Sequence, residues 1–237
     1  TPIYTLFPYT TLFRSVKTAS ALSRTEDIDF SVTRTLDVAF NRNMQEVLLD
    51  AEPELRTPVQ INPRIIPFEM VTPDGFKVEF LTIKSSDSED APVKIERFNV
   101  YAQPLDFMDY LLADVQRAVV LHGAGIAVAV PNPARFAMHK LAVSQLRPIG
   151  MQAKVHKDIA QAAALLGILS DDNPGALILA MDAVFERNDA FSHFVSNGFM
   201  RLDHSLRARV TEAYGRDIPV VAFDTKSGRY TTQAKTY

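Results

Sequence analysis

The segment TEDIDF at residues 25–30 alternates acidic and apolar side chains. This alternation is typical of a half-buried β-strand, in which side chains two residues apart lie on the same face. Asp27 and Asp29 are therefore predicted to project together, with Ile28 and Phe30 facing the core. Two neighbouring carboxylates repel each other unless a positive charge lies between them. Because hard oxygen ligands favour Mg²⁺ or Mn²⁺, this strand predicts part of a divalent-cation site.

A third candidate acid lies on a later predicted strand. The sequence FKVEFLTI at residues 76–83 directly follows the turn signal TPDG at 72–75, which predicts a hairpin. Glu79 lies between the apolar residues Val78 and Phe80, a costly position for an acid that is buried without a partner. Beside the first strand, Glu79 would supply a third metal ligand. Each signal alone also fits solvated strand acids, so convergence of the three carboxyl groups is the deciding observation.

The rest of the chain predicts an α+β protein with a mixed sheet, flanking helices and a helical C-terminal region. Helical spacing or capping signals favour helices near residues 35–50, 134–147, 151–169, 173–187, 189–197 and 202–214. The predicted organisation is an α/β domain over residues 16–131, a helical domain over 132–216 and a polar tail over 217–237.

The N-terminal segment resembles a translated sequencing adapter. TLFPYTTLFRS at residues 5–15 matches the translation of a common sequencing-adapter oligonucleotide over eleven consecutive residues. The alternative is a natural aromatic strand with a TT turn. We expect residues 1–15 to be an artefact that is not structural, and the natural sequence to begin further upstream.

The order of these features resembles the nucleotidyltransferase superfamily, in which a Gly-Gly/Ser loop and a helix precede an acid pair on one strand and a third acid on a later strand. TEDIDF is similar to the T-x-D-I-D-F form of a bacterial subgroup of that superfamily. The segment VPNPARFAMHKL at residues 130–141 is similar to that subgroup's strand-to-helix junction. The spacing of Lys140, Arg147, Lys157 and Asp158 is similar to the K-x6-R…K-D series of abortive-infection type nucleotidyltransferases. The resemblance covers about residues 16–165 and rests on TEDIDFSV at 25–32, VPNPARFAMHKL at 130–141, and Lys140, Arg147, Lys157 and Asp158.

The resemblance implies a metal-dependent enzyme that transfers a nucleoside monophosphate from a nucleoside triphosphate such as ATP. Asp27, Asp29 and Glu79 would be both the catalytic residues and the ligands of Mg²⁺ or Mn²⁺, and Glu79 is also a candidate general base. The family's glycine loop is missing upstream of Asp27, so we expect this chain to be a fragment, an incomplete copy of the enzyme. The acceptor is a protein, an RNA end or a small molecule.

A predicted helix supplies candidate nucleotide-binding residues. Lys140, Ser144 and Arg147 are spaced i, i+4 and i+7, which places them on one helical face. A solvated charged face is the alternative, and the family resemblance favours phosphate binding. Lys157 and Asp158 are predicted to form an exposed pair.

Composition limits the other function classes. The formal net charge is −3, which does not indicate a nucleic-acid-binding protein, and cysteine is absent, which excludes disulfides and thiolate metal sites. The lack of cysteine suits a reducing cytoplasm, where we expect the protein, and no apolar run has the roughly 20 residues that a membrane span requires.

Three alternatives to the enzyme remain open. The first is a non-catalytic binding or regulatory module with the same fold, such as the antitoxin-like member of a two-gene system with a partner protein. The second is a helical RNA-binding protein, whose affinity would fall steeply with salt. The third is a metal-free α/β domain with coincidental acids. The basic residues of the second alternative are Arg201, Arg207, Arg209 and Arg216.

Overall fold

The computed structural model describes residues 5–6, 27–31, 44–59, 67–85, 90–96, 98–120 and 124–233. The chain divides into two compact units, Thr1–Pro131 and Asn132–Tyr237. Residues 16–26, which lack the family's glycine loop, lie outside the described residues. The side chain of Asp27 and the first part of the helix predicted at 35–50 also lie outside them.

The first unit is built on a mixed β-sheet. Within its described residues, the strand order is β5-β6-β4-β2-β1-β8-β7, and β3 also pairs with β4. Neighbours β2–β4 and β4–β6 are parallel, whereas β3–β4, β5–β6 and β7–β8 are antiparallel. The strands are β1 Thr5–Leu6, β2 Asp27–Ser31, β3 Glu69–Val71, β4 Lys77–Ile83, β5 Val93–Ile95, β6 Val100–Leu105, β7 Val115–Val120 and β8 Ile126–Pro131, with helices α1 Met44–Ala51 and α2 Met108–Leu112.

Strand β4 lies at the centre of this arrangement. Its alternate residues Val78 and Phe80 are 3% exposed and belong to a buried apolar cluster with Met70 and Val100. The hairpin that joins β3 to β4 forms as predicted, and Gly75 adopts a φ of 92° in its turn, a conformation that favours glycine. The two faces of β4 are therefore distinct, with the core on one side and Glu79 on the other.

The second unit is mainly helical, which confirms the predicted α+β class with a helical C-terminal region. The Asn132 and Asn173 side chains cap α3 and α5 by accepting from the backbone N–H groups of Ala134 and Ala176, at 2.9 and 3.1 Å. The helices are α3 Pro133–Leu146, α4 Gln152–Asp172, α5 Pro174–Phe185, α6 Ala190–Met200 and α7 His204–Tyr214, with a 3₁₀ turn at Ile149–Met151.

The segment predicted as a polar tail contains a β-hairpin. Strands β9 Val220–Asp224 and β10 Arg229–Gln233 pair antiparallel, and Val221 is buried. The ring nitrogen Nδ1 of His193 on α6 lies 2.6 Å from the carbonyl oxygen of Val221, which attaches the hairpin to the helices. Residues 234–237 lie outside the described residues.

The strand β1 lies between β2 and β8 in the sheet, although residues 1–15 were expected to be non-structural. None of the helices in the described part of the chain is long and apolar enough to cross a membrane.

Candidate active site on strands β2, β3 and β4

The parallel pairing of β2 with β4 places two of the three predicted acids side by side. Asp29 on β2 is the register partner of Glu79 on β4, and Phe30 is the partner of Phe80. Adjacent strands lie roughly 4.8 Å apart, so side chains on the same face of such a pair are in contact range. The sequence argument required Glu79 to lie beside the acid-bearing strand, and the register satisfies that requirement.

The opposite face of the same strands fixes the direction of the acids. The Phe30 and Phe80 rings stack with centroids 5.9 Å apart. Phe80 belongs to the apolar core of the first unit, and the partly buried Phe30 packs against that core. Successive side chains of a strand point to opposite faces, so Asp29 and Glu79 project away from that core together. The Glu79 side chain retains 26% of its exposure and is therefore partly accessible.

A third carboxylate joins this row from β3. Glu69 is the register partner of Glu79 on the other edge of β4. The Lys77 ammonium lies 3.1 Å from Glu69 Oε2 and 4.0 Å from Glu79 Oε1. Glu69 was not among the predicted site residues, although the sequence contains its signal: an acid between Phe68 and Met70, on the strand that precedes the predicted hairpin turn.

The row of acids changes the protonation of Glu79. Burial, the neighbouring charge of Asp29 and the hydrogen bond and charge of Glu69 raise the pKa of Glu79 from 4.5 to about 7, against the opposing effect of Lys77. One lysine therefore does not compensate for three clustered carboxyl groups. A cation placed beside Asp29 and Glu79 would favour the ionised form of both.

The donor set at this face fits a divalent cation. Asp29 and Glu79 offer hard oxygen ligands, and Ser31 adds a buried hydroxyl without a hydrogen-bond partner among the described residues. Asp27 pairs with Lys77 in the backbone register of β2 and β4. Among the described side chains, which do not include that of Asp27, no group of three acids or histidines is arranged to hold a metal ion. Two of the predicted metal ligands are thus brought together by the structure.

The predicted phosphate-binding residues of the second unit have other partners. Lys140 Nζ lies 2.7 Å from Asp158 Oδ1, and Arg147 Nε lies 2.9 Å from Asp158 Oδ2. The Ser144 hydroxyl is buried and donates to the Leu141 carbonyl at 2.7 Å. The two contacts with Asp158 join α3 to α4, and the Ser144 contact lies within α3. Phosphate binding by Lys140, Ser144 and Arg147 therefore stays a prediction that the geometry does not favour.

The prediction of an exposed pair at residues 157–158 is wrong for Asp158. This residue of α4 is 2% exposed, and its two carboxylate oxygens accept hydrogen bonds from Lys140 and Arg147. Burial lowers the pKa of Lys140, whereas the charge of Asp158 acts in the opposite direction. The sequence places Asp158 on the helix but does not show which face of α4 packs against α3.

Comparison with known proteins gives one family and one solved structure. Residues 9–186 match the model of a family described as nucleotidyltransferase. The chain is also similar to an antigenic nucleotidyltransferase-like protein from Paracoccidioides brasiliensis, with 15% sequence identity, a TM-score of 0.36 and coverage of 81% of this chain and 83% of that one. That TM-score is too low to support a structural argument. A search of curated proteins found no significant match.

Proposed function

Because this chain belongs to the nucleotidyltransferase family, we propose that it transfers a nucleoside monophosphate from a nucleoside triphosphate to an acceptor, with Asp27, Asp29 and Glu79 as its active-site carboxylates. The observation that carries the proposal is the pairing of Asp29 with Glu79 across two parallel strands. Asp27 is included because it lies two residues before Asp29 on the same strand.

The proposed cofactor is Mg²⁺ or Mn²⁺, held by these three carboxylates. Their oxygen donors suit such ions, and the raised pKa of Glu79 indicates a site short of positive charge. Such a cation, when bound, supplies Lewis-acid stabilisation of the phosphate oxygens and activates the acceptor hydroxyl.

The residues of the chain have separate parts in this proposal. Asp29 and Glu79 hold their carboxylates on two hydrogen-bonded strands, so their relative position is fixed before a nucleotide binds. Lys77 pairs with Glu69 and keeps this acid beside the site partly neutralised. Mg-ATP as the donor and the cytoplasm as the location belong to the proposal as well.

Nucleotide binding tests the proposal. Isothermal titration of the chain with Mg-ATP and with Mg-CTP should give saturable binding that is lost in Asp29→Asn and in Glu79→Gln. Glu54→Gln is the matched control, because Glu54 is an exposed acid of the same unit, outside the carboxylate row. Wild-type affinity in the Asp29 and Glu79 variants would contradict the assignment of the site. Absence of any nucleotide binding would favour a non-catalytic module.

A further inference from the structure

The second unit contains a cavity of about 810 Å³ formed by α6, α7 and the segment that leads into β9. One face of α7 lines this cavity. Its lining residues are spaced i, i+3, i+4, i+7 and i+8, and they are His204, Arg207, Ala208, Thr211 and Glu212. The volume lies within the range of small-molecule sites. The cavity is built entirely from residues 196–220 and does not depend on the carboxylate site.

The walls of this cavity combine apolar surface with one distinctive cation. Phe199, Met200, Ile218 and Pro219 supply the apolar contacts. Arg207 supplies a guanidinium whose Nη1 donates to the Met200 thioether sulfur at 3.7 Å, a weak acceptor. Its Nε is buried and has no hydrogen-bond partner among the described residues. A carboxylate or phosphate oxygen would accept a stronger hydrogen bond from this guanidinium than the thioether sulfur does.

The other charged residues of the lining leave Arg207 as the anion-binding group. Arg216 forms an ion pair with Asp182 and stacks on the Tyr214 ring at 4.4 Å, so its charge is already engaged. Glu212 lies five residues after Arg207 on α7, roughly 7.5 Å along the helix axis, and Asp217 lies beyond it. Both acids therefore follow Arg207 in the chain, toward and beyond the C-terminal end of α7.

We propose that this cavity binds a small organic oxyanion with an apolar body, whose carboxylate or phosphate pairs with Arg207 while its apolar part packs against Phe199, Met200 and Ile218. Glu212 and Asp217, toward and beyond the C-terminal end of α7, orient the ligand, because they repel its anionic group toward Arg207. The site takes a metabolite-sized molecule and is separate from the proposed transferase reaction.

Calorimetric titration with three related probes tests this proposal. The intact chain is titrated in EDTA with 1-naphthoate, 1-naphthyl phosphate and the neutral 1-naphthalenemethanol. At least one of the two anions should bind with one-to-one stoichiometry and at least about tenfold more tightly than the alcohol, because only the anions pair with the guanidinium. The tighter of the two anions identifies carboxylate or phosphate as the preferred group.

Three variants assign the binding to the cavity. Arg207→Gln should weaken the anions by about tenfold or more, and Ala208→Phe should abolish binding by filling the cavity while it keeps Arg207. Arg201→Gln, a change at an exposed arginine outside the lining, should leave the affinities unchanged. Equal affinity for the alcohol, no binding of either anion at millimolar concentration, or wild-type affinity in Arg207→Gln would overturn the proposal.

Discussion

At the residue scale, the fold changes the protonation of Glu79. An isolated glutamate is ionised at neutral pH, but here burial and two neighbouring acids raise its pKa to about 7. The folded protein therefore binds a proton at Glu79 at pH values where the unfolded chain does not. This difference makes the stability of the protein depend on pH in a direction that can be stated in advance.

Replacement of Glu79 by Gln should remove that dependence. In EDTA, the raised pKa means that the contribution of Glu79 to wild-type stability falls as the pH rises from 4.5 through 7, because its ionisation is opposed only in the folded state. Glu79→Gln should be more stable than wild type at pH 8, by about 1–2 kcal/mol after allowance for solvent screening. At pH 4 the two should have equal stability. Urea denaturation at both pH values measures this, with Glu54→Gln as the control; equal stability at pH 8 would contradict the charge crowding.

Asp158 is the opposite case to Glu79, because its negative charge is compensated by Lys140 and Arg147. Asp158→Asn would leave Lys140 and Arg147 without their anionic partner at a buried position, and we expect a loss of about 3 kcal/mol in the free energy of unfolding. Urea denaturation is the measurement, and Asp172→Asn at the exposed end of α4 should change stability by less than about 0.5 kcal/mol. A loss as small as that of the control would show that Asp158 does not join α3 to α4.

The sequence predicts site residues where a local pattern determines their direction. Alternation within each strand predicted the faces of Asp29 and Glu79, and the register of β2 with β4 places them side by side. Glu69 and Asp158 were not identified as site and core residues because their roles depend on which strand or helix packs beside them. That information comes from tertiary pairing, and single-sequence periodicity does not contain it.

At the element scale, α3 and α6 approach each other closely at a glycine. A Cβ atom added at Gly198 would lie 2.4 Å from the Leu141 carbonyl oxygen, a backbone atom that moves only if the whole helix moves. The absence of a side chain at Gly198 is therefore required for the α3–α6 contact. Gly167 on α4 has space instead, since its added Cβ would meet the Leu206 side chain at an ordinary 3.8 Å.

Alanine substitution at these two glycines should have opposite effects. Gly198→Ala should destabilise the protein by about 3 kcal/mol or more, because two packed helices must separate. Gly167→Ala should stabilise it by roughly 0.5–1 kcal/mol through helix propensity. Thermal and urea unfolding report both changes, and similar effects of the two substitutions would contradict the close approach of α3 and α6.

The predictability of the elements follows the strength of their local signals. The Asn-Pro pairs at residues 132–133 and 173–174 correctly predicted the starts of α3 and α5. The pairing of β9 with β10 was not predicted, because β10 is largely polar and the position of the hairpin depends on the contact between His193 and the Val221 backbone.

At the scale of the whole molecule, the family assignment agrees with the resemblance drawn from the acid pair and the later segments. The matching region begins at residue 9, within the segment interpreted as adapter-derived. The strand β1 of that segment lies between β2 and β8, so the strand order of the described residues is complete only with residues 5–6. The origin of residues 1–15 stays a prediction.

A proline at Leu6 tests whether this short strand supports the sheet. Leu6 pairs with Phe30 on β2, and proline in an interior strand removes a hydrogen bond of the ladder. Leu6→Pro should therefore reduce the free energy of unfolding by about 2 kcal/mol, whereas Leu6→Val should have a much smaller effect. Unfolding in urea distinguishes the two variants. Wild-type stability of Leu6→Pro would contradict a role of this strand pairing in supporting the sheet.

The most direct test of the central claim is a Mn²⁺ titration monitored by the electron paramagnetic resonance signal of the free ion. If Asp29 and Glu79 form a divalent-cation site, the wild-type chain should bind Mn²⁺ saturably, and Asp29→Asn and Glu79→Gln should each weaken binding at least about tenfold. Glu54→Gln should bind as wild type does. Unchanged Mn²⁺ affinity in both the Asp29 and Glu79 variants would contradict the claim that these paired carboxylates are the metal site.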